Sequence, residues 1–400
     1  MKRFLVAFAL LAIALATRAT PPLVLVSLDA FRWDYAQLHP VETPHLHAIA
    51  QDGVHVTELI PSYPSNTFPN HYTIVTGLYP AHHGIVNNHQ FDAATGEFFH
   101  YNQLHSSGNP KWWGGEPIWL TALRQGGNAG TWLWPGSEAA IGGVRPMVWH
   151  VYDPKLSFEA RRDELVAWLK KIDLSKPTVA TFYLEEINSI GHKFGPDSPE
   201  LAAALKIADE RIGNLDAAIR AAGIEANLVI VSDHGMTPIS TARIVILDDY
   251  LDPSTVQLDF DGPVAGLRPA AGHTLEQILP AFAHLAHAHA YRAEDLPTRF
   301  HVSPSPRVPP IWIVPEEGYE VYTRAAFATY RLKFNKGDHG YDTALHSMHG
   351  IFYARGPSFR QGVELPPVEN VHIYNLLCAA LGLKPAPNDG DDRLARAALK

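Results

Sequence analysis

The chain has 400 residues, 46% of them apolar and 18% charged, with a formal charge of −9 and a pI near 6.2. That length and apolar content support one large α/β core or two smaller ones. The acidic balance, with no basic run, excludes nucleic-acid backbone binding as the main task.

The segment "MKRFLVAFALLAIALATRAT" places Lys2 and Arg3 before an apolar run from Phe4 to Ala16 and a small-residue site at Thr17-Arg18-Ala19. This is the pattern of a secretory signal peptide, 1–19, cut after Ala19, and the run is short for a bilayer span. The expectation is export, to the periplasm or beyond it, with no stable membrane span after cleavage and residues 20–400 forming a single domain. The only cysteine, Cys378 in "NLLCAALGL", reads as a core residue. With no disulfide, stability must come from the core or from bound metal.

Along the chain, "LVLVSLDAF" (23–31), "TVATFYLEEIN" (178–188) and "NLVIVSDHGM" (227–236) are continuous apolar runs without alternation. Such runs suit parallel strands covered on both faces. "AGTWLWPG" (129–136) and "GIFYARG" (350–356) read as further strands. Helical periodicity fills 158–172 and 198–223, and the alternation predicts a mostly parallel sheet sandwiched by helices. Residues from about 240 to 335 break the rhythm and read as a small inserted subdomain. Within them "HLAHAHAY" (284–291) reads as a helix face with solvated histidines, lacking acidic partners for a metal. The tail "GDDRLARAALK" reads as a short surface helix.

Ionisable and amide residues gather where these strands end, the usual place for a site in an open α/β sheet. Asp29 ends the first strand, and Asp233 and His234 end the one at 227–231. Thr67, followed by Phe68 and Pro69, sits where Pro marks a helix start. There, free amides favour an anionic oxygen, although an ordinary cap would also place a threonine. Asp29, Asp233, His234 and Thr67 together make a four-ligand tetrahedral set for zinc. His192 lies four residues after Asn188, so both face one way if that segment is helical. With His339 of "KGDHGYD", these two could hold a second ion and leave a position open for water or substrate.

"LVSLDAFRWDY", "SNTFPNHYTIVTGLYPAHHGIVNN", "PKWWGGEPIWLTALRQGG", "WPGSE", "VSDHGM", "GDHGYD" and "VHIYNLLCAALGLKPAPNDG" occur in order from residue 23 to about 390. In these the chain resembles the nucleotide pyrophosphatase/phosphodiesterase family (type I phosphodiesterases) of the alkaline-phosphatase superfamily. The resemblance implies an alkaline-phosphatase-like α/β fold and a single phosphodiesterase domain. It implies a hydrolase that cleaves nucleotide phosphodiester or pyrophosphate bonds through a covalent threonine intermediate. Thr67 would be the nucleophile, Asn88 would donate to a phosphoryl oxygen, and Phe68 and Tyr152 would flank a nucleobase. For Tyr152, a loop aromatic packed on the surface is the competing reading.

Two divalent ions, zinc by donor type, are implied. Asp29, Thr67, Asp233 and His234 would hold one; Asn188, His192 and His339 would hold the other. The family carries aspartate where Asn188 stands, so this chain brings one negative charge fewer. That substitution keeps two alternatives open: a catalytically silent, one-metal nucleotide- or phosphate-binding protein, and a phosphodiesterase for a non-nucleotide substrate. Glu185 or Glu186 could swing in to replace the lost carboxylate, although packing is the ordinary role for Glu186.

Overall fold

The computed structural model describes residues 20–400; the candidate signal peptide, 1–19, lies outside the described residues. A seven-stranded sheet runs in the order 363–365, 54–56, 352–355, 227–231, 23–28, 178–184, 128–132. All neighbouring strands pair in parallel except Phe352–Arg355, which is antiparallel to both its neighbours. The continuous apolar runs form the sheet centre because both of their faces are covered. Leu23 and Leu25 point into one core with Val179, Val229 and Val231, while Val24, Val26 and Leu28 point into the other with Ala180, Phe182 and Ile230.

Helices Thr67–Thr76, Ile118–Arg124 and Ile373–Leu381 cover the first face. Pro44–Asp52, Phe158–Leu169 and Pro199–Ala221 cover the second. Ser157 and Ser198 cap the last two, each accepting from the backbone N–H three residues on, which supplies one of the unpaired first-turn donors a partner. Cys378 is fully buried in the first core, as read from the sequence.

Residues 244–322 carry sheets of their own: four antiparallel strands ordered 256–260, 265–269, 311–315, 288–292, and a parallel pair, Ile244–Ile246 with Glu320–Tyr322. The helix expected over 284–291 is not formed. Residues 284–287 turn and Ala288–Arg292 is a strand paired with Ile311–Pro315. Alanine-rich local preference loses there to the open edge of Ile311–Pro315. His284, His287 and His289 are exposed, as expected. The tail helix, Arg393–Ala398, is short but not a surface element: Leu394, Ala395 and Ala398 are buried in the first core.

Candidate active site

The carboxyl ends of the three central strands open into a cavity of about 680 Å³ lined by Asp29, Thr67, Phe68, Asn88, Tyr101, Tyr152, Asn188, His192 and His339, among others. A larger hollow of about 830 Å³ lies at the other end of the sheet, against Asp216, Arg220 and Arg355. It contains none of Asp29, Thr67, Asn188, His192 and His339, so the chemistry belongs to the first.

Thr67 is the first residue of its helix; Asn66, in an extended conformation, precedes it as the cap. The threonine side chain is therefore free of capping. Its Oγ1 lies 3.2 Å from His234 Nε2. Gly77, at φ 67°, closes the helix in the left-handed conformation that favours glycine.

Asp29, Asp233 and His234 are each at most 1% exposed and offer ligand atoms within 4.8 Å of one another. His234 Nδ1 sits 2.8 Å from the Gly235 carbonyl oxygen, so that nitrogen carries a proton and donates. Nε2 then presents its lone pair to three oxygens: Asp233 at 3.0 Å, Thr67 at 3.2 Å and Asp29 at 3.5 Å. A metal ion, or in its absence a proton on Nε2, reconciles those lone pairs. Asp29 Oδ1 has no hydrogen-bond partner, and Asp233 Oδ2 has none of good alignment, although imidazole nitrogens of His234 and His71 lie 3.0 and 3.2 Å away. These residues fit a divalent ion.

Without an ion, a proton takes its place. Burial, then repulsion from Asp233, pushes the Asp29 carboxyl up to about 7. Burial opposes the charge on His234, but the Asp233 carboxylate overcomes it and raises His234 to about 9. Asp233 is held well below the usual carboxylate range by His234 and His71, against its burial.

Asn188 and His192 lie on the helix Glu186–Phe194, so the i,i+4 placement holds. Asn188 Oδ1 is buried and unpartnered. His192 Nδ1 lies 2.8 Å from the Gly337 carbonyl and His339 Nδ1 lies 3.1 Å from that of Ser65, which leaves Nε2 as the coordinating nitrogen of both rings. The His339 ring sits between them, its centroid 5.1 Å from His192 and 3.6 Å from His234. Burial and the two neighbouring rings hold His339 well below the usual histidine range, in its neutral, ligating form. An unpartnered amide oxygen and two oriented imidazoles fit a second ion with one anionic ligand fewer than an aspartate would bring. Glu186 is not free to restore the charge, because it pairs with Arg211. Glu185 Oε2 is buried, unpartnered and on the cavity wall, but its carboxylate is not grouped with His192 and His339.

Asn88 Oδ1 accepts from the Phe68 backbone N–H at 2.9 Å, which turns the amide nitrogen away as a spare donor. The Phe68 amide is thereby occupied. Phe68 packs on Tyr101 at 5.4 Å and on Trp113 at 6.1 Å. Tyr152 lines the cavity 46% exposed, its backbone N–H held by Glu138 at 2.6 Å.

Sequence reasoning missed His71, Tyr183 and Asp338. His71 is buried one helical turn after Thr67, bonded to Ser27 Oγ at 2.8 Å and facing Asp233 at 3.2 Å. The i,i+4 spacing from Thr67 was its signal. Tyr183 donates a short hydrogen bond to Asp29 Oδ2. Asp338 stands 3.8 Å behind His192 Nδ1 and meets the fully buried Glu320.

Burial, then the charge of Asp338, holds the Glu320 proton up to about 10, against 4.5 unperturbed. Folding therefore takes up a proton between those values: this stabilising contribution is complete below 4.5 and is lost as pH rises through about 10. Glu320→Gln, which keeps a donor toward Asp338, is expected to gain on the order of 2–3 kcal/mol at neutral pH and nothing at the acid end. Thermal melts of both proteins across that range check it; a pH-independent difference contradicts it.

With the site in view, the comparisons decide the family. The pattern of "Type I phosphodiesterase / nucleotide pyrophosphatase" matches residues 23–342. The chain belongs to that family. It is 36% identical to bis(5'-adenosyl)-triphosphatase enpp4 of Xenopus laevis, over 93% of this chain and 80% of that protein. It is 35% identical to ectonucleotide pyrophosphatase/phosphodiesterase family member 3 of Bos taurus and 37% identical to a venom phosphodiesterase of Macrovipera lebetinus. Those two matches cover 92% of this chain but only 43% and 44% of the relatives, so the chain spans less than half their length. Human ectonucleotide pyrophosphatase/phosphodiesterase 5 superposes with a TM-score of 0.88 at 34% identity, covering 94% of this chain and 99% of that one. The murine counterpart, an inactive variant in complex with AMP, superposes at 0.87 with 34% identity, covering 94% and 100%. These confirm the alkaline-phosphatase-like fold read from the sequence.

Proposed function

We propose that this chain is a metal-dependent phosphodiesterase/pyrophosphatase that releases a nucleoside monophosphate through a covalent threonine intermediate. The observation that carries the reading is the convergence of Thr67 Oγ1, Asp29 and Asp233 on the lone-pair nitrogen of His234. Asp29, Thr67, Asp233 and His234 would hold one divalent ion, and Asn188, His192 and His339 a second, with zinc favoured by the donor set. Ions bound there would lower the cost of ionising a hydroxyl, screen the phosphate and activate water. The protein does the rest. Thr67 Oγ1 attacks phosphorus in line, the leaving oxygen departs, and a threonyl phosphodiester remains. Water then attacks the same phosphorus and Thr67 leaves. Asn88 donates its spare N–H to a phosphoryl oxygen, and Phe68 and Tyr152 bracket the base.

Relatives named for nucleotide substrates and a neighbour holding AMP support a nucleotide over another diester. The test is incubation with a dinucleoside polyphosphate and product identification. A nucleoside monophosphate supports the reading; free phosphate alone, or turnover only of a non-nucleotide diester, contradicts it.

Asn188 favours a second reading, a one-metal binding protein. Tight nucleotide binding with no product at saturating zinc would establish that one instead.

Zinc binding at neutral pH must displace the His234 proton and part of that on Asp29, given values of about 9 and about 7. Release on the order of one proton per chain is expected, with zinc affinity rising with pH up to that of His234. A pH-stat titration of metal-free protein measures it; no proton release contradicts the ligand assignment.

Export rests on the 1–19 pattern and on relatives named as ecto- and venom enzymes. Among the described residues no helix is long and apolar enough to cross a membrane. N-terminal sequencing of the mature protein should begin at Thr20.

A further inference from the structure

Outside the cavity, a second set of metal-type ligands converges. Glu58 immediately precedes the short strand Leu59–Ile60, and His346 opens the 3₁₀ turn His346–Met348 that His349 directly follows. One carboxylate oxygen, Glu58 Oε2, meets both rings: His346 Nδ1 at 2.6 Å and His349 Nδ1 at closer range. The three ligand atoms all lie within 4.8 Å of one another.

The His349 ring shows what this arrangement lacks. It is 6% exposed, and its Nε2 sits 2.9 Å from the Thr343 carbonyl oxygen. A carbonyl can only accept, so Nε2 donates to it, which turns Nδ1 onto the Glu58 carboxylate, where a proton or a metal ion can sit between them. His346 Nδ1 arrives at the same carboxylate oxygen, so two imidazole nitrogens and one carboxylate converge on a single point. A cation between them resolves all three contacts at once. The Nε2–H to carbonyl bond is also the usual support that fixes the tautomer of a metal-ligating histidine.

We propose that Glu58, His346 and His349 form a divalent-metal site, separate from the cavity, for zinc or a similar borderline ion. Two imidazoles and one carboxylate are a three-protein-ligand zinc set with the fourth position left to water. Burial suits that division: the Glu58 side chain is 12% exposed and that of His349 7%, while His346 is 68% exposed and marks the wet side. Donors at about 2.0–2.1 Å in tetrahedral geometry stand about 3.3 Å apart. Both histidine nitrogens stand closer than that to Glu58 and need to part from it by up to about an ångström, a movement open to the exposed His346 and, for the buried His349, to the Glu58 side chain.

The role is structural. The His349 carbonyl accepts from Trp33 N–H at 3.0 Å and the Met348 carbonyl from Gly235 N–H at 2.9 Å, in the two loops that carry Asp29 and Asp233–His234. An ion here would tie the turn at 346–349 to the strand at 59–60 and stiffen the floor beneath the nucleophile. A chain with one cysteine and no disulfide has use for such a link.

The test is zinc content per chain after dialysis against micromolar free zinc, for wild type, His346→Ala and Glu58→Gln. Wild type is expected to hold one equivalent more than either variant. His346 is exposed, so its loss should leave the fold intact, which circular dichroism checks. In zinc-edge anomalous maps from crystals at the same free zinc, the proposal requires a peak among Glu58, His346 and His349 that is absent from His346→Ala. Equal zinc content in all three proteins, or a peak that fills only at millimolar zinc, overturns it. Peaks at Asp29–Asp233–His234 report on the catalytic reading separately, so either can fail alone.

Discussion

Thr67→Ala is expected to lower kcat for a nucleotide phosphodiester by about 10⁴-fold or more, since no other nucleophile is placed to replace the hydroxyl. His71 is bonded to Ser27 and faces Asp233, and Tyr183 donates to Asp29, so neither replaces it. Substrate affinity should change far less than kcat, because Asn88, Phe68, Tyr152 and the other ion ligands are untouched. Stability should shift by only about 1 kcal/mol, the worth of one hydrogen bond to His234. Steady-state kinetics and a melt on the same preparation measure all three. A variant retaining a tenth of wild-type kcat would remove Thr67 from the mechanism.

The second large effect is at Asn188. Its buried Oδ1 can coordinate but brings no charge. Asn188→Asp is therefore expected to tighten the second ion by about 10–100-fold, at least the scale of changes made one shell further out. The same substitution should destabilise the metal-free protein, because it adds a buried carboxylate near the Asp29–Asp233 pair before any cation arrives. Opposite signs in the two states are the signature of a ligand position. Calorimetric zinc titration and metal-free melts separate them. An unchanged second affinity would show that residue 188 does not ligate.

The sheet centre was legible because strands buried on both faces must be apolar throughout, as 23–28, 178–184 and 227–231 are. The short strands 54–56 and 363–365 were not, since three residues carry no period. The histidine strand at 288–292 was misread because its partner is supplied by distant sequence. Of the residues singled out in the sequence, Asp29, Thr67, Asn188, His192 and His339 line the cavity, and Asp233 and His234 are buried beside Asp29 and Thr67; strand ends and an i,i+4 helix pair are local features and so could be read. Asp338 was passed over as a neighbour of His339, and its contact with Glu320 is a matter of folding alone. Glu58 and His346 lie 288 positions apart, and no short motif could have joined them.

The central claim is a double displacement at phosphorus through Thr67. The most direct test is the stereochemical course of hydrolysis of a chiral phosphorothioate nucleotide diester in isotopically labelled water. Attack by Thr67 followed by attack of water inverts phosphorus twice, so net retention is predicted. Net inversion would mean that water attacks directly, and would contradict the account.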